Sequence, residues 1–168
     1  MSLTIQKPEL NHAEAISEIC SKGWLQTVKY LSNEDFKQDN IDYWYNIDKI
    51  QSDIKSGAYT HVAMIDSKVV GVIGGGMTGV NTSEIFVFYM NPDFRYQGIG
   101  KKLLQALTSE QVNQGAIEQW VSVQDRNPYG IPFYESRGFV PRNRKVVYTE
   151  GDDQLVSIRY WRSLKSFV

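Results

Sequence analysis

The sequence predicts an α/β (α+β) fold, one mixed β-sheet of about six to seven strands with helices packed around it. Three observations lead there. The chain has 168 residues, 42% hydrophobic and 22% charged, the proportions of one compact domain spanning residues 1–168. Its apolar period is helical up to Gly57 and becomes strand-like from Tyr59 onward. The elements then follow in the order strand, helices, three strands, helix, strand, helix, two strands, with no repeat or linker between them.

Residues 3–8 form the opening strand. Asn11 caps a helix, with Glu14 three residues on as in a capping box, and apolar spacing carries that helix to Tyr30. Ile16, Ile19, Cys20 and Trp24 make its buried stripe, which reads Cys20 as a small core hydrophobe rather than a reactive thiol. Residues 33–56 are helical in two pieces, rich in aromatics, and stop near Gly57. Tyr59–Ile65 and Val69–Val80 alternate as a hairpin turned at Asp66-Ser67-Lys68. Glu84–Met90 is a third strand, ended by Pro92. A helix from Gly98 to Gln114 presents Leu103, Leu104 and Leu107 on one face and ends at Gly115. Glu118–Gln124 is a strand and Pro128–Arg137 a short helix stopped by Gly138. Residues 139–149 and 154–162 are closing strands that turn at Gly151-Asp152-Asp153.

Charge and composition exclude several functions. A formal net charge of -1 argues against a nucleic-acid binder that works by bulk electrostatics. No apolar run is long enough to span a membrane and no signal peptide opens the chain, so a cytoplasmic protein without a membrane partner is expected. The single cysteine agrees with a reducing compartment. No His/Cys/Asp cluster has metal-ligand spacing, so no metal is expected. His61, at a strand start, reads as structural, and His12, in the first turn of a helix, as solvent-facing.

Three glycine patterns differ in context. Gly74-Gly75-Gly76-Met77-Thr78-Gly79 matches G-x-G-x-x-G by letters, but a strand follows it where a dinucleotide site needs a helix. It reads instead as a bent or bulged strand or a close approach. Gly71–Gly76 has P-loop spacing, but Met77 stands where the lysine belongs. Arg95-Tyr96-Gln97-Gly98-Ile99-Gly100 lies between a strand and an amphipathic helix. Unpaired N–H groups at the start of that helix suit a diphosphate, helped by Arg95, Lys101 and Lys102. A strand-to-helix turn that binds nothing fits the local pattern equally well.

The flanking residues extend this pattern. Glu84-Ile85-Phe86-Val87-Phe88-Tyr89-Met90-Asn91-Pro92, the Arg95–Gly100 loop and Lys101-Lys102-Leu103-Leu104 resemble the coenzyme-binding motif of the GNAT superfamily of N-acyltransferases. Asn127, Gly130, Phe133-Tyr134 and Gly138-Phe139 are similar to the family's N-x-x-A-x-x-F-Y-x-x-x-G-F, with Gly130 in place of alanine. Gly23-Trp24-Leu25-Gln26-Thr27 resembles one bacterial branch more loosely. The resemblance implies a central mixed, splayed sheet and transfer of an acetyl group from acetyl-CoA to a primary amine of a small molecule or peptide, directly in a ternary complex. The alternative is a non-catalytic acyl-CoA-binding sensor. By the same resemblance Phe88, Tyr89 and Met90 bond the pantetheine arm, and Arg95, Tyr96, Gln97, Gly98, Ile99, Gly100 and Lys101 hold the diphosphate. Asn127 bonds the pantetheine or a loop amide, with a plain helix cap as the competing role. Trp24 and Thr27 fall in the region that covers the acceptor.

The chemistry needs a neutral amine, yet a free alkylammonium has a pKa near ~10.4. A general base must take its proton, and the departing thiolate needs one. Alternation places Glu84, Phe86, Phe88 and Met90 on one strand face and Ile85, Val87 and Tyr89 on the other. Glu84 is either the general base, as at the family position, or the solvated start of the strand. By the resemblance, Tyr134 occupies the family position that often protonates the thiolate; the alternative is that its phenol bonds a backbone group or the coenzyme. Arg142, Arg144 and Lys145 form a solvated strand end or touch the coenzyme's 3′-phosphate. Exposed edge strands admit a homodimer.

Overall fold

The computed structural model describes residues 2–149 and 153–167. Strand β1 (Leu3–Gln6) leads through a 3₁₀ turn at Leu10–His12 into helices α1 (Ala13–Thr27), α2 (Glu34–Trp44) and α3 (Ile47–Ser56). Strands β2 (His61–Ile65), β3 (Lys68–Met77) and β4 (Thr82–Met90) follow, then helix α4 (Ile99–Asn113) and strand β5 (Glu118–Gln124). Helix α5 (Gly130–Glu135) and strands β6 (Val140–Tyr148) and β7 (Gln154–Ser163) complete the order. The sheet has seven strands in the order β1-β2-β3-β4-β5-β7-β6. Among the described residues only β4 and β5 pair in parallel, because α4 carries the chain back between them.

Local chemistry accounts for most boundaries. Asp66 and Ser67 both take positive φ (49° and 67°), the backbone twist that a two-residue hairpin needs. Asn33 and Asn46 accept from the third residue of α2 and α3 (Phe36 N–H at 3.0 Å, Lys49 N–H at 2.8 Å). The start of α1 corrects the expectation. Glu9, not Asn11, caps the 3₁₀ turn, and the Glu9 N–H donates to His12 Nδ1 at 3.0 Å. That bond draws the His12 ring inward, so it is buried at 9% exposure rather than solvent-facing. Of the expected turn at Gly151-Asp152-Asp153, only Asp153 lies within the described residues.

Two apolar layers cover the sheet. Leu103, Leu104 and Leu107 of α4 pack on one face with Ile85, Val121 and Phe139. Ile16, Ile19 and Cys20 of α1 pack on the other with Ile50, Val62 and Val72. Burial holds the Cys20 thiol far above the usual range, as its reading as a core residue requires.

The expected alternation along β4 fails at one residue. Gly74 pairs with Val87 and Gly75 with Ile85, so Phe86 is an extra residue on β4. Beyond this bulge the strand changes parity. Ile85, Phe88 and Met90 face α4, while Val87 and Tyr89 face α1. The glycines make room for it: a Cβ on Gly75 would lie 2.2 Å from the Glu84 carbonyl oxygen, and one on Gly74 1.9 Å from that of Ala58. A buried polar chain fixes the site from below. Gln111 Nε2 donates to Glu84 O (3.0 Å), Gln119 Nε2 to Gln111 Oε1 (2.8 Å), and Arg162 Nε to Gln119 Oε1 (2.9 Å).

The sheet then opens. Pairing of β4 with β5 stops at Ile85↔Val121, whereas β5 stays on β7 to Gln124↔Ser157. The second half of β4 is left with a free edge, which is the expected splay.

Candidate active site

A cleft of about 390 Å³ fills the splay, walled by α1, the end of β4, the loop into α4 and the start of α5. The β4 edge is pre-set for a strand-like guest. Asn91 N–H donates to Val70 O at 2.8 Å, so the odd-numbered residues here bond to β3. The backbone groups of Phe88 and Met90 therefore point into the opening. Both residues line the cleft, as does Tyr89.

The loop into α4 forms the second half of the cleft. Gly98 is the N-cap residue at φ +79°, a left-handed conformation that a Cβ would strain. Tyr96 also takes positive φ (64°) and is 92% exposed. The first helical bond runs from Lys102 N–H to Gly98 O at 3.2 Å. None of the N–H groups of residues 96–101 finds an acceptor among the described residues. Converging, unsatisfied amides at a helix start are what a diphosphate requires, so the residues present fit coenzyme A. Tyr96, Gly98, Ile99, Gly100 and Lys101 all line the cleft, whereas Gln97 is exposed and does not.

Arg95 lines the cleft but is already engaged. Its Nη2 donates to Gln26 Oε1 at 2.7 Å, and its guanidinium lies 3.9 Å from the centre of the Tyr129 ring. It ties α1 to the start of α5 across the cleft mouth. Gln26 falls in the loosely matched Gly23–Thr27 segment without having been singled out there, and Tyr129 carries no family signature at all.

Asn127 performs the capping role. Its Oδ1 accepts from Tyr129 N–H (3.0 Å) and Gly130 N–H (2.8 Å). Gly130, where the family pattern has alanine, lets the Asn127 amide sit close, since a Cβ there would lie 2.6 Å from Asn127 Nδ2, the movable end of that side chain. Asn127 Nδ2 itself donates to no acceptor among the described residues, and Asn127 lines the cleft.

Tyr134 stands in the cleft wall, 7% exposed, with its ring against Phe88, Phe133 and Phe139 at centroid distances of 6.3, 5.4 and 5.2 Å. Its hydroxyl makes no hydrogen bond among the described residues. Burial, and to a lesser degree the neighbouring Tyr89, pushes this phenol well above its usual range. It therefore holds its proton until a strong base forms beside it. Tyr89 is likewise raised by burial and hydrogen-bonds Tyr45.

Glu84 is not among the cleft-lining residues. It lies across the sheet face from Ile85, on the α1 side. Arg159 Nη1 donates to its Oε1 at 2.5 Å and to Ser122 Oγ at 2.9 Å. Trp24 also misses the cleft: it is 6% exposed and packs with Val28 and Leu31, with Phe36 6.3 Å away. Gly23, Gln26 and Thr27 line the cleft from that helix. The basic residues of β6 point elsewhere. Arg142 stacks on Trp161 at 4.2 Å and Arg144 pairs with Asp125 at 3.1 Å. No group of three or more His, Cys, Asp or Glu residues is arranged to hold a metal ion among the described residues. No helix is long and apolar enough to cross a membrane among them either.

Comparison with known proteins agrees with this geometry. Residues 24–139 match the model of the Acetyltransferase (GNAT) family. Spermidine N(1)-acetyltransferase of Thermoplasma acidophilum is 26% identical over 165 residues, covering 95% of this chain and 99% of the relative. The ribosomal protein bS18-alanine N-acetyltransferase of Escherichia coli is 33% identical over 60 residues, 36% of this chain and 40% of the relative. PaiA N-acetyltransferase from Thermoplasma acidophilum in complex with coenzyme A superposes with a TM-score of 0.75 at 25% identity, covering 94% of this chain and 98% of that one. An N-acetyltransferase from Staphylococcus aureus shares the fold, with a TM-score of 0.77 at 19% identity and coverage of 98% and 100%. The chain belongs to the acetyltransferase (GNAT) family, and its reaction is transfer of an acetyl group from acetyl-CoA to an amine.

Proposed function

We propose that residues 1–168 act as one N-acetyltransferase domain whose acceptor is a small polycationic primary amine. The observation that carries this is the acidic outer face of α2, where Glu34, Asp35, Asp39 and Asp42 are all exposed. This helix follows directly on the α1 segment that lines the cleft. Lys37 neutralises Glu34 at 3.1 Å, and the three aspartates that make no ion pair among the described residues draw a multiply charged amine toward the opening. The named relatives agree in direction: the spermidine enzyme matches nearly the whole chain, the peptide-modifying enzyme only 60 residues.

Bound acetyl-CoA supplies the thioester carbonyl and the thiolate leaving group. The residues of this chain do the rest in a ternary complex. The amides of residues 96–101 hold the diphosphate and the free edge of β4 aligns the arm. Met90 N–H, aimed into the splay, polarises the carbonyl. Tyr134 gives its proton to the departing thiolate. Glu84 accepts the amine proton through water, because Arg159 keeps its carboxylate out of the cleft. Asn127 caps α5 through Oδ1 and offers Nδ2 to the arm.

Two further features of this reading concern setting. The chain works in the cytoplasm, in keeping with its buried, reduced Cys20. It works as a homodimer, supported by β6, an edge strand whose nine residues are all exposed.

Thiol release from acetyl-CoA, measured with spermidine and with an alanine-terminated peptide side by side, tests the acceptor class. Faster turnover of spermidine supports it; preference for the peptide defeats it.

A further inference from the structure

Arg95 is held at the cleft mouth by two residues distant from it in sequence. Gln26, in the last turn of α1, accepts from Arg95 Nη2 at 2.7 Å. Tyr129, at the N-cap of α5, presents its ring to the guanidinium at 3.9 Å. Both side chains line the coenzyme cleft.

Each support is itself anchored. Trp24 and Val28 are buried on either side of Gln26 and fix the end of α1. The Tyr129 N–H donates to Asn127 Oδ1 at 3.0 Å, which fixes the backbone from which the ring extends. The guanidinium commits only Nη2 to this bridge. Its other N–H groups have no acceptor, and it makes no ion pair, among the described residues. The next residue, Tyr96, opens the run of unsatisfied amides at the head of α4. Free N–H groups of a fixed cation therefore stand beside free backbone N–H groups. An arginine that is already held in place loses less rotamer freedom when it grips an anion. Neutral supports suit that task, because a carboxylate in place of the Gln26 amide would cancel the charge that the anion needs.

We infer that Gln26 and Tyr129 are positioning residues for the donor: they hold Arg95 across the cleft mouth so that its remaining N–H groups meet the coenzyme's diphosphate beside the amides of residues 96–101. This role rests on coenzyme binding in the cleft. It gives the end of α1, which the loose family match sets over the acceptor, a part in the grip on the donor as well.

Calorimetry with coenzyme A, alongside thermal unfolding, tests this on the unmodified chain and on variants of the three side chains, none of which is buried. Gln26→Ala and Tyr129→Leu should each weaken coenzyme A binding by about fivefold. Tyr129→Phe keeps the ring face and should bind like the unmodified chain. In an Arg95→Met background, Gln26→Ala should change affinity by less than about twofold, because the group it positions is gone. Gln26→Glu separates positioning from a merely structural tie. The carboxylate pairs with Arg95, so the melting temperature should hold or rise, yet coenzyme affinity should fall by about tenfold. A structural tie would instead be strengthened by the glutamate, with affinity kept or improved. Unchanged or tighter coenzyme binding in Gln26→Glu overturns the inference, as does a loss from Gln26→Ala that persists in full without Arg95. An unmodified chain that binds no coenzyme A overturns the cleft reading too, and is told apart because no variant then differs from it.

Discussion

Replacing Gly98 with aspartate separates folding from coenzyme binding. Gly98 sits at φ +79° at the N-cap of α4, and a Cβ there meets nothing within 4 Å. Space therefore does not oppose the substitution, and only the backbone does, by roughly 1 kcal/mol. An aspartate at this position also accepts from the unsatisfied amides of α4, a cap worth about 1 kcal/mol. The two effects nearly cancel, so the melting temperature should move by no more than about 2–4 °C. Binding is another matter. A carboxylate about 4 Å from a phosphate opposes it by ~4 kcal/mol at an effective dielectric constant of about 20. Screening at this exposed loop reduces that, and a loss of about a hundredfold in coenzyme affinity remains as the expectation. Gly98→Asn has the same shape without the charge and should lose only about tenfold, since each tenfold is ~1.4 kcal/mol. Isothermal titration with coenzyme A, alongside circular dichroism, measures both quantities. Unchanged affinity in a folded Gly98→Asp protein would refute the assignment of this loop, and equal losses in the two variants would refute the electrostatic account.

Gly130→Ala should lower coenzyme affinity more than stability, because the new Cβ would sit 2.6 Å from Asn127 Nδ2, the movable end of that side chain, and would turn the amide aside from the cleft; unchanged affinity by calorimetry would contradict that packing. His61 lies 3.4 Å from Glu110, which Lys7 also contacts at 2.7 Å. Burial and then the Lys7 charge hold its imidazole below the usual range, against a smaller upward pull from Glu110. The unfolded chain therefore takes up this proton first, at about pH 6.5, and stability that is intact above that value falls as pH drops toward the folded value. His61→Gln should flatten the denaturant-measured stability profile between about pH 7 and pH 5, and parallel profiles would exclude the effect.

Local signals were the legible ones. The hairpin at Asp66-Ser67, the glycine at the head of α4 and the strand Glu118–Gln124 follow from short-range chemistry, and the structure places each where the sequence does. The cleft was legible because two spaced motifs both bear on it. What escaped depends on partners distant in sequence. Gly74-Gly75-Gly76 signals a bulge or close approach, but the extra residue, Phe86, stands on the neighbouring strand beside Gln111 from α4, and no pattern within β4 announces it. Glu84 fell on the unexpected side of the sheet for that reason and meets Arg159, 75 residues away. Trp24 lies in the core beside Phe36, as the apolar stripe it shares with Ile16, Ile19 and Cys20 indicates, and only the loose family match set it over the acceptor. Arg137 and Arg162 carry no motif, and only the packing of α5 and β7 brings them together.

The cleft between α1, β4 and α5 is proposed to transfer acetyl from acetyl-CoA to a primary amine with Tyr134 as the proton donor. Thiol release with spermidine, matched mole for mole to acetylated amine by mass spectrometry, tests it most directly when run on the unmodified chain and on Tyr134→Phe. The account predicts product from the unmodified chain and a rate about a hundredfold lower in the variant, with coenzyme affinity unchanged. A folded, coenzyme-binding protein that acetylates no primary amine, or a Tyr134→Phe variant as fast as its parent, would contradict it.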